Sequence, residues 1–212
     1  MGKEKLFRWL IKFWKLRKKK ILLTAASTHD DEENFVLKNH LYFSKQKKIK
    51  NLVSIIIPRH INRVNTIYEE LSKLDLKIVL SSNLDQLGTK TDIVLVDSYG
   101  ESVKFYNISK YVFLGKSLIP SLIKDGGQNP IEPARLGCKI FHGPYVSNFT
   151  EIYKYLDDLG VSKKVNNSNE LSLSLVEKFK DNKPENSKIV EKIETYGQNI
   201  LNNVTQEIKK YI

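Results

Sequence analysis

Leu52-Val53-Ser54-Ile55-Ile56-Ile57-Pro58-Arg59-His60 is the stretch that decides how the chain is read. Its apolar run is short and rich in β-branched residues, which suits a strand buried on both faces. Pro58 brings no N–H to a ladder, and Arg59 follows at once, so a cation stands at the carboxyl end of the strand. The same pattern repeats outward. Ile21–Ala25, Lys77–Leu80, Asp92–Val96, Tyr111–Leu114 and Lys139–Phe141 read as further strands, with Val161–Val165 as a last edge strand. Between them Asp30–Lys45, Asn62–Leu74, Gly100–Asn107, Asn129–Leu136, Thr150–Leu159 and Asn169–Lys178 read as helices. Asp30, Asp31, Glu32 and Glu33 fall in a first helical turn, where they complement the dipole. Val64, Ile67, Tyr68 and Leu71 share one helical face. Strands alternating with helices predict an α/β fold, a Rossmann-like parallel sheet with helices on both faces.

The net charge of +11 over 212 residues is unevenly placed. Residues 1–20 hold nine Lys/Arg and one Glu, a sum of +8, which leaves +3 for the other 192 residues. That distribution argues against a nucleic-acid-binding domain. The chain divides into a basic amphipathic arm (1–20), an α/β domain (21–180), and a linker with a long C-terminal helix (181–212). Phe7, Trp9, Phe13 and Trp14 lie among the cations of the arm, and its apolar residues are too few to span a bilayer. A membrane interface, packing on the domain or a partner, and nucleic acid are its three readings, in that order. Asp181–Ser187 reads as linker, and Ile193, Tyr196, Ile200, Val204, Ile208 and Tyr211 recur near helical spacing. A single cysteine, Cys138, excludes an internal disulfide, and four scattered histidines give no metal spacing.

Ligands of such sheets bind beyond the carboxyl ends of the strands. There the sequence places Ala26-Ser27-Thr28-His29, Pro58-Arg59-His60, Asp97-Ser98-Tyr99-Gly100-Glu101, Gly115-Lys116-Ser117-Leu118 and Asp125-Gly126-Gly127-Gln128-Asn129-Pro130-Ile131-Glu132-Pro133-Ala134. Hydroxyls, an arginine, glycines and helix starts suit a phosphate-bearing ligand. Asn129 as cap, Pro130 at the first position and Glu132 three residues after the cap describe either a well-capped helix or an anion site. Ser27 and Thr28 either touch the ligand or cap a helix. Gly100 and Glu101 are either ligand contacts or a turn and a first-turn acid. His29 and His60 suit structural hydrogen bonding better than catalysis, and His142 and Cys138 suit packing. Gly115-Lys116-Ser117 ends like a phosphate-binding P-loop, but Lys110 stands where its first glycine belongs. Neither a G-x-G-x-x-G after the first strand nor a G-x-S-x-G elbow is present.

Taken together, Ala26–His29 with its acidic sequel, Ile57–His60, Asp97–Glu101, Gly115–Leu118, Gly126–Ala134, and Gly143-Pro144 with Asn148-Phe149 resemble the 3-deoxy-D-manno-octulosonic acid (Kdo) transferases. The resemblance runs from about Ile21 to the end and covers only their C-terminal, donor-binding half. It implies a GT-B glycosyltransferase domain that takes CMP-Kdo as donor and lipid A precursor as acceptor in lipopolysaccharide biosynthesis. It also implies peripheral residence on the cytoplasmic face of the bacterial inner membrane, inverting transfer without a bound metal, and no cofactor. By matching positions it puts CMP on Pro58, Arg59, Tyr99, Gly100, Glu101, Asn129, Pro130, Ile131 and Glu132, with Ser27, Gly126 and Gly127 as further contacts. Arg59 would neutralise the leaving phosphate and Glu132 would accept from ribose hydroxyls. Four positions depart from the family pattern: Lys116 for glycine, Gln128 for histidine, Tyr99 for methionine and Ile61 for proline. Nothing matches the acceptor domain with its catalytic carboxylate, so no catalytic residue is assigned in this chain. The expectation is a fragment or split enzyme that binds donor but needs a separate acceptor-domain chain. The rival readings are a non-catalytic, membrane-associated module that binds nucleotide or recruits a partner, and another nucleotide-sugar enzyme of the same fold.

Overall fold

The computed structural model describes residues 3–45, 51–180 and 187–211. Seven strands form one sheet: β1 (Ile21–Thr28), β2 (Leu52–Pro58), β3 (Ile78–Leu80), β4 (Ile93–Leu95), β5 (Tyr111–Leu114), β6 (Lys139–His142) and β7 (Ser162–Lys164). Their order is β3-β4-β2-β1-β5-β6-β7, and every pairing is parallel. The helices are α1 (Lys3–Arg17), α2 (Glu32–Lys45), α3 (Val64–Ser72), α4 (Ser102–Tyr106), α5 (Ile131–Arg135), α6 (Thr150–Asp158), α7 (Ser168–Lys180) and α8 (Ser187–Lys209). Among the described residues no helix is long and apolar enough to cross a membrane.

Two apolar layers enclose the sheet, because successive strand residues point to opposite faces. Ile55 joins the layer that holds Trp9 and Phe13 of α1, Phe105 of α4, Ala134 of α5, Tyr153 of α6 and Ile193 of α8. Ile56 joins the other layer, with Val36 and Phe43 of α2, Ile67 and Leu71 of α3, and Leu171 of α7. The α/β sandwich expected from the alternation is therefore the observed fold.

The differences from expectation have physical reasons. The basic arm is an integral part of the core: Trp9 and Phe13 are 2% and 0% exposed, with ring centroids 4.5 Å apart, and both meet Phe105 edge-on at 5.4 Å. The helix expected to start at Asp30 starts at Glu32, after Asp31 takes a left-handed φ of 69°. Glu32 and Glu33 are buried rather than solvated. A 3-10 turn, Ile61–Arg63, precedes α3, and Tyr68 lies outside its buried stripe. The expected linker lies outside the described residues except for Ser187, which opens α8. Helix α8 is tied down near its start by buried Ile193, by a Tyr155–Tyr196 stack at 4.2 Å and by Arg135–Glu194 at 3.5 Å. Beyond that, Ile200, Leu201, Val204 and Ile208 are exposed.

His40 is buried in α2 with Nδ1 3.0 Å from the Ser54 hydroxyl, and burial pulls its pKa below the ordinary 6.5. The unfolded chain protonates this imidazole near its ordinary value while the folded chain does not. Stability contributed by neutral His40 is therefore complete above 6.5 and is lost as pH falls from there toward the lowered native value. Urea titrations from pH 7.5 to 5 should show this decline, and His40→Gln should flatten it.

Candidate functional site

The carboxyl ends of β4, β2, β1, β5 and β6 form one edge, and most of the sequence-predicted residues lie along it. The chain leaves β2 for one side of the sheet and returns through β5 on the other, so the switch in strand order lies at β1 and β5. At that point β1 carries an irregularity. Its register to β2 shifts between Ala26 and Thr28, and Ser27 takes φ 56°. Such bulges re-aim the chain at a strand end. Beyond it the Arg59 N–H donates to the Thr28 carbonyl (2.9 Å), and the Gly115 N–H donates to the Ala26 carbonyl (2.9 Å).

The crevice between β1 and β5 is occupied from within. The Glu32 carboxylate, 1% exposed, accepts four backbone N–H groups: His29 (3.0 Å), Lys116 (2.7 Å), Ser117 (2.9 Å) and Leu118 (3.0 Å). The Gly115–Leu118 loop does cradle an anion as its P-loop-like sequence hints, but the anion is the protein's own carboxylate. Two features of the loop follow from this cradle. Gly115 is required because a Cβ there would lie 2.5 Å from the Ser27 carbonyl oxygen and 2.7 Å from Glu32 Oε2. Lys116 takes φ 57°, a conformation that glycine adopts without cost. Glu33 is also engaged, accepting from the Thr28 hydroxyl (2.7 Å) and from both ends of the Arg63 guanidinium (3.0 and 3.2 Å), which also pairs with Asp30 at 2.6 Å. Thr28 and Arg63 thus build the edge rather than offering themselves to a ligand.

From this loop a chain of hydrogen bonds reaches the glycine corner. The Gly127 N–H donates to the Lys116 carbonyl at 2.6 Å, and Gly127 has φ 95°. Asn148 donates its backbone N–H to Gly126 (3.2 Å) and its side-chain amide to Asp125 (2.8 Å). The Tyr153 hydroxyl, whose pKa burial pushes up, donates to the Gln128 carbonyl at 2.9 Å. Tyr153 and Glu32 position the site, and local sequence reading assigned neither that role. The capping expectation shifts by one residue. Pro130, not Asn129, is the N-cap, Ile131 is the first helical residue, and Glu132 is the second. Asn129 Oδ1 accepts from the Ile131 N–H at 3.0 Å, so one free donor of this helix start is already used. With only five residues in α5, its dipole adds little.

The remaining candidates fall into two groups that straddle the strand ends. Tyr99, Gly100 (φ 73°) and Glu101 lead into α4, which packs against α5, so Gly100-Glu101 and Asn129–Glu132 lead into neighbouring helices on one face of the sheet. Tyr99 is 76% exposed and Glu132 is exposed, while the Glu101 carboxylate is held by Lys104 Nζ at 2.6 Å. Pro58 and Arg59 lead toward α3 on the opposite face, beside Ser27. Arg59 is exposed, and its guanidinium has no partner among the described residues. His29 and His60 meet edge-on at 5.7 Å, and His29 Nε2 is buried without a partner among the described residues. Burial, then the neighbouring His60, Lys116 and Arg63, lower the His29 pKa, so this imidazole is neutral at pH 7.

Two measurements test the cradle. Glu32→Gln turns an amide donor toward backbone N–H groups and should cost about 3 kcal/mol of folding free energy in urea titration. Lys116→Gly relieves a left-handed φ and should raise stability by about 1 kcal/mol at unchanged m value.

The chain has similar proteins in both sequence and fold. No protein-family model matches it. It is 33% identical over 144 residues to 3-deoxy-D-manno-octulosonic acid transferase of Haemophilus influenzae, covering 68% of this chain and 32% of that protein. It is 30% identical over 200 residues to the enzyme of the same name from Rickettsia bellii, covering 94% of this chain and 45% of that protein. The chain thus spans less than half the length of either relative. In fold it matches the crystal structure of the C-terminal CMP-Kdo binding domain of WaaA from Acinetobacter baumannii with a TM-score of 0.75 and 23% identity, covering 89% of this chain and 97% of that one. In sequence, then, the chain is similar to part of the Kdo transferases, and in fold it is similar to a C-terminal CMP-Kdo binding domain.

Proposed function

We propose that the chain binds CMP-Kdo and supplies the donor-binding half of a glycosyltransferase that moves Kdo to lipid A precursor. The observation that carries this reading is the joint one above: relatives in sequence named as Kdo transferases, and a fold matched to a domain named for CMP-Kdo binding. The chemistry of the edge is compatible with it. Arg59 is exposed and unpaired among the described residues, so it can neutralise the phosphate that leaves as CMP. Gly100, with open space where a Cβ would stand, lets a nucleotide approach the backbone closely. Tyr99 offers an exposed ring for the base, and the exposed Glu132 carboxylate can accept from ribose hydroxyls. Glu101 and Pro130 contribute shape and backbone, since the Glu101 carboxylate is paired with Lys104 and Pro130 carries no N–H. Ser27, Gly126 and Gly127 set the floor between these groups. Transfer also needs a base on the acceptor side, and that base belongs to the other half of such an enzyme.

Isothermal titration of the chain with CMP, UMP and ADP tests the reading. CMP should bind more tightly than either other nucleotide. Arg59→Ala and Glu132→Ala should each weaken CMP by about tenfold, the equivalent of one charge-assisted hydrogen bond. Equal affinity for the three nucleotides, or none for CMP, would overturn it.

A further inference from the structure

Helix α1 has two apolar faces, and the fold uses only one. Trp9, Phe13 and Leu16 recur at helical spacing and are buried against α4 and the sheet. Phe7, Leu10, Ile11 and Trp14 recur at the same spacing, offset by about 140° at roughly 100° per residue. They are 65%, 46%, 37% and 55% exposed. Cations flank this outer stripe. Arg8 and Lys12 hold one side, both paired with Asp85 at 2.8 and 3.1 Å. Exposed Lys15, Arg17, Lys18 and Lys19 close the C-terminal end. The Lys18 ammonium sits over the face of the Trp14 ring, 3.5 Å from its centroid. The only acid within α1 is Glu4, in its first turn.

We propose that this outer face of α1 is a docking surface for an anionic lipid bilayer, on which the helix lies flat in the interface. Three observations select that occupant. An exposed stripe of Phe, Leu, Ile and Trp suits insertion among acyl chains at headgroup depth. The cations around it complement anionic headgroups. A second copy of this chain would bring the same positive rim against itself, which disfavours self-association through this face. The buried face fixes the helix to the domain, so lipid contact holds the whole α/β domain at the surface rather than a loose tail. The proposal does not depend on the nucleotide reading, because vesicle binding is measured without nucleotide.

The test uses the full chain and sucrose-loaded vesicles. Wild type should sediment with phosphatidylglycerol–phosphatidylcholine vesicles and bind pure phosphatidylcholine at least about tenfold more weakly. The two tryptophans serve as separate probes. Lipids brominated near the headgroup should quench Trp14 emission, and Trp14→Phe should abolish the quenching while the emission of buried Trp9 persists. Phe7→Ser/Leu10→Ser, on the exposed face alone, should lower anionic-vesicle binding about tenfold with an unchanged thermal midpoint. Three results would overturn the proposal. They are no binding to anionic vesicles, full binding by the double serine variant, and a wild-type dimer that the double serine variant converts to monomer.

Discussion

Four backbone N–H groups converge on the buried Glu32 carboxylate, and the strand-end edge is arranged around that convergence. A carboxylate removed from water needs its charge compensated, and here donors from the chain after β1 and the loop after β5 provide it. The loop must curl to present them, which fixes the left-handed Lys116 and excludes any side chain at Gly115. The curl then dictates its surroundings. Ser117 donates its hydroxyl to the Leu114 carbonyl, and its hydroxyl and carbonyl oxygens accept from Gly143 and Tyr145. The Lys116 carbonyl takes the Gly127 N–H. One internal anion thus sets the relative positions of β1, β5, β6 and the glycine corner. A ligand's negative charge must be met outside this crevice, by groups such as Arg59.

The sheet was legible in the sequence because its central strands are apolar on both faces. Leu52–Pro58, whose residues are all buried, and Tyr111–Leu114 announce themselves by composition. Edge strands are half-solvated, so Ser162–Lys164 is three residues where five were expected. The candidate residues at strand ends were legible because topology confines ligand contacts to one edge. The partnership that shapes this edge was not legible. Glu32 and Glu33 look like ordinary first-turn acids, and nothing within a helical turn reveals that their partners lie after β5 and before α3. The glycine corner differs by one residue: Pro130 takes the cap position expected of Asn129, and Asn129 caps from one residue further out.

Helix α1 illustrates a limit of charge as a guide. Nine cations in twenty residues read as a basic amphipathic arm set apart from the α/β domain. Helical periodicity separates the same residues into a stripe that belongs to the core and an opposite stripe that does not. The aromatic cluster of Trp9, Phe13 and Phe105 then makes the arm a structural support for α4, the helix whose start carries Gly100 and Glu101. Removing the arm would expose Phe105 and loosen one flank of the candidate site, so a deletion reports on packing as well as on surface charge.

The outer strands have a consequence for assembly. Both edges of the sheet, β3 and β7, are only three residues long, and β7 ends in exposed Lys163 and Lys164. A short, lysine-bearing edge offers few backbone groups for another strand to pair with. Strand addition between copies is therefore a poor route for this protein, even though its sheet is rich in Ile and Val. A bilayer, a companion domain or another chain is met more readily through its helices and loops than through its strand edges.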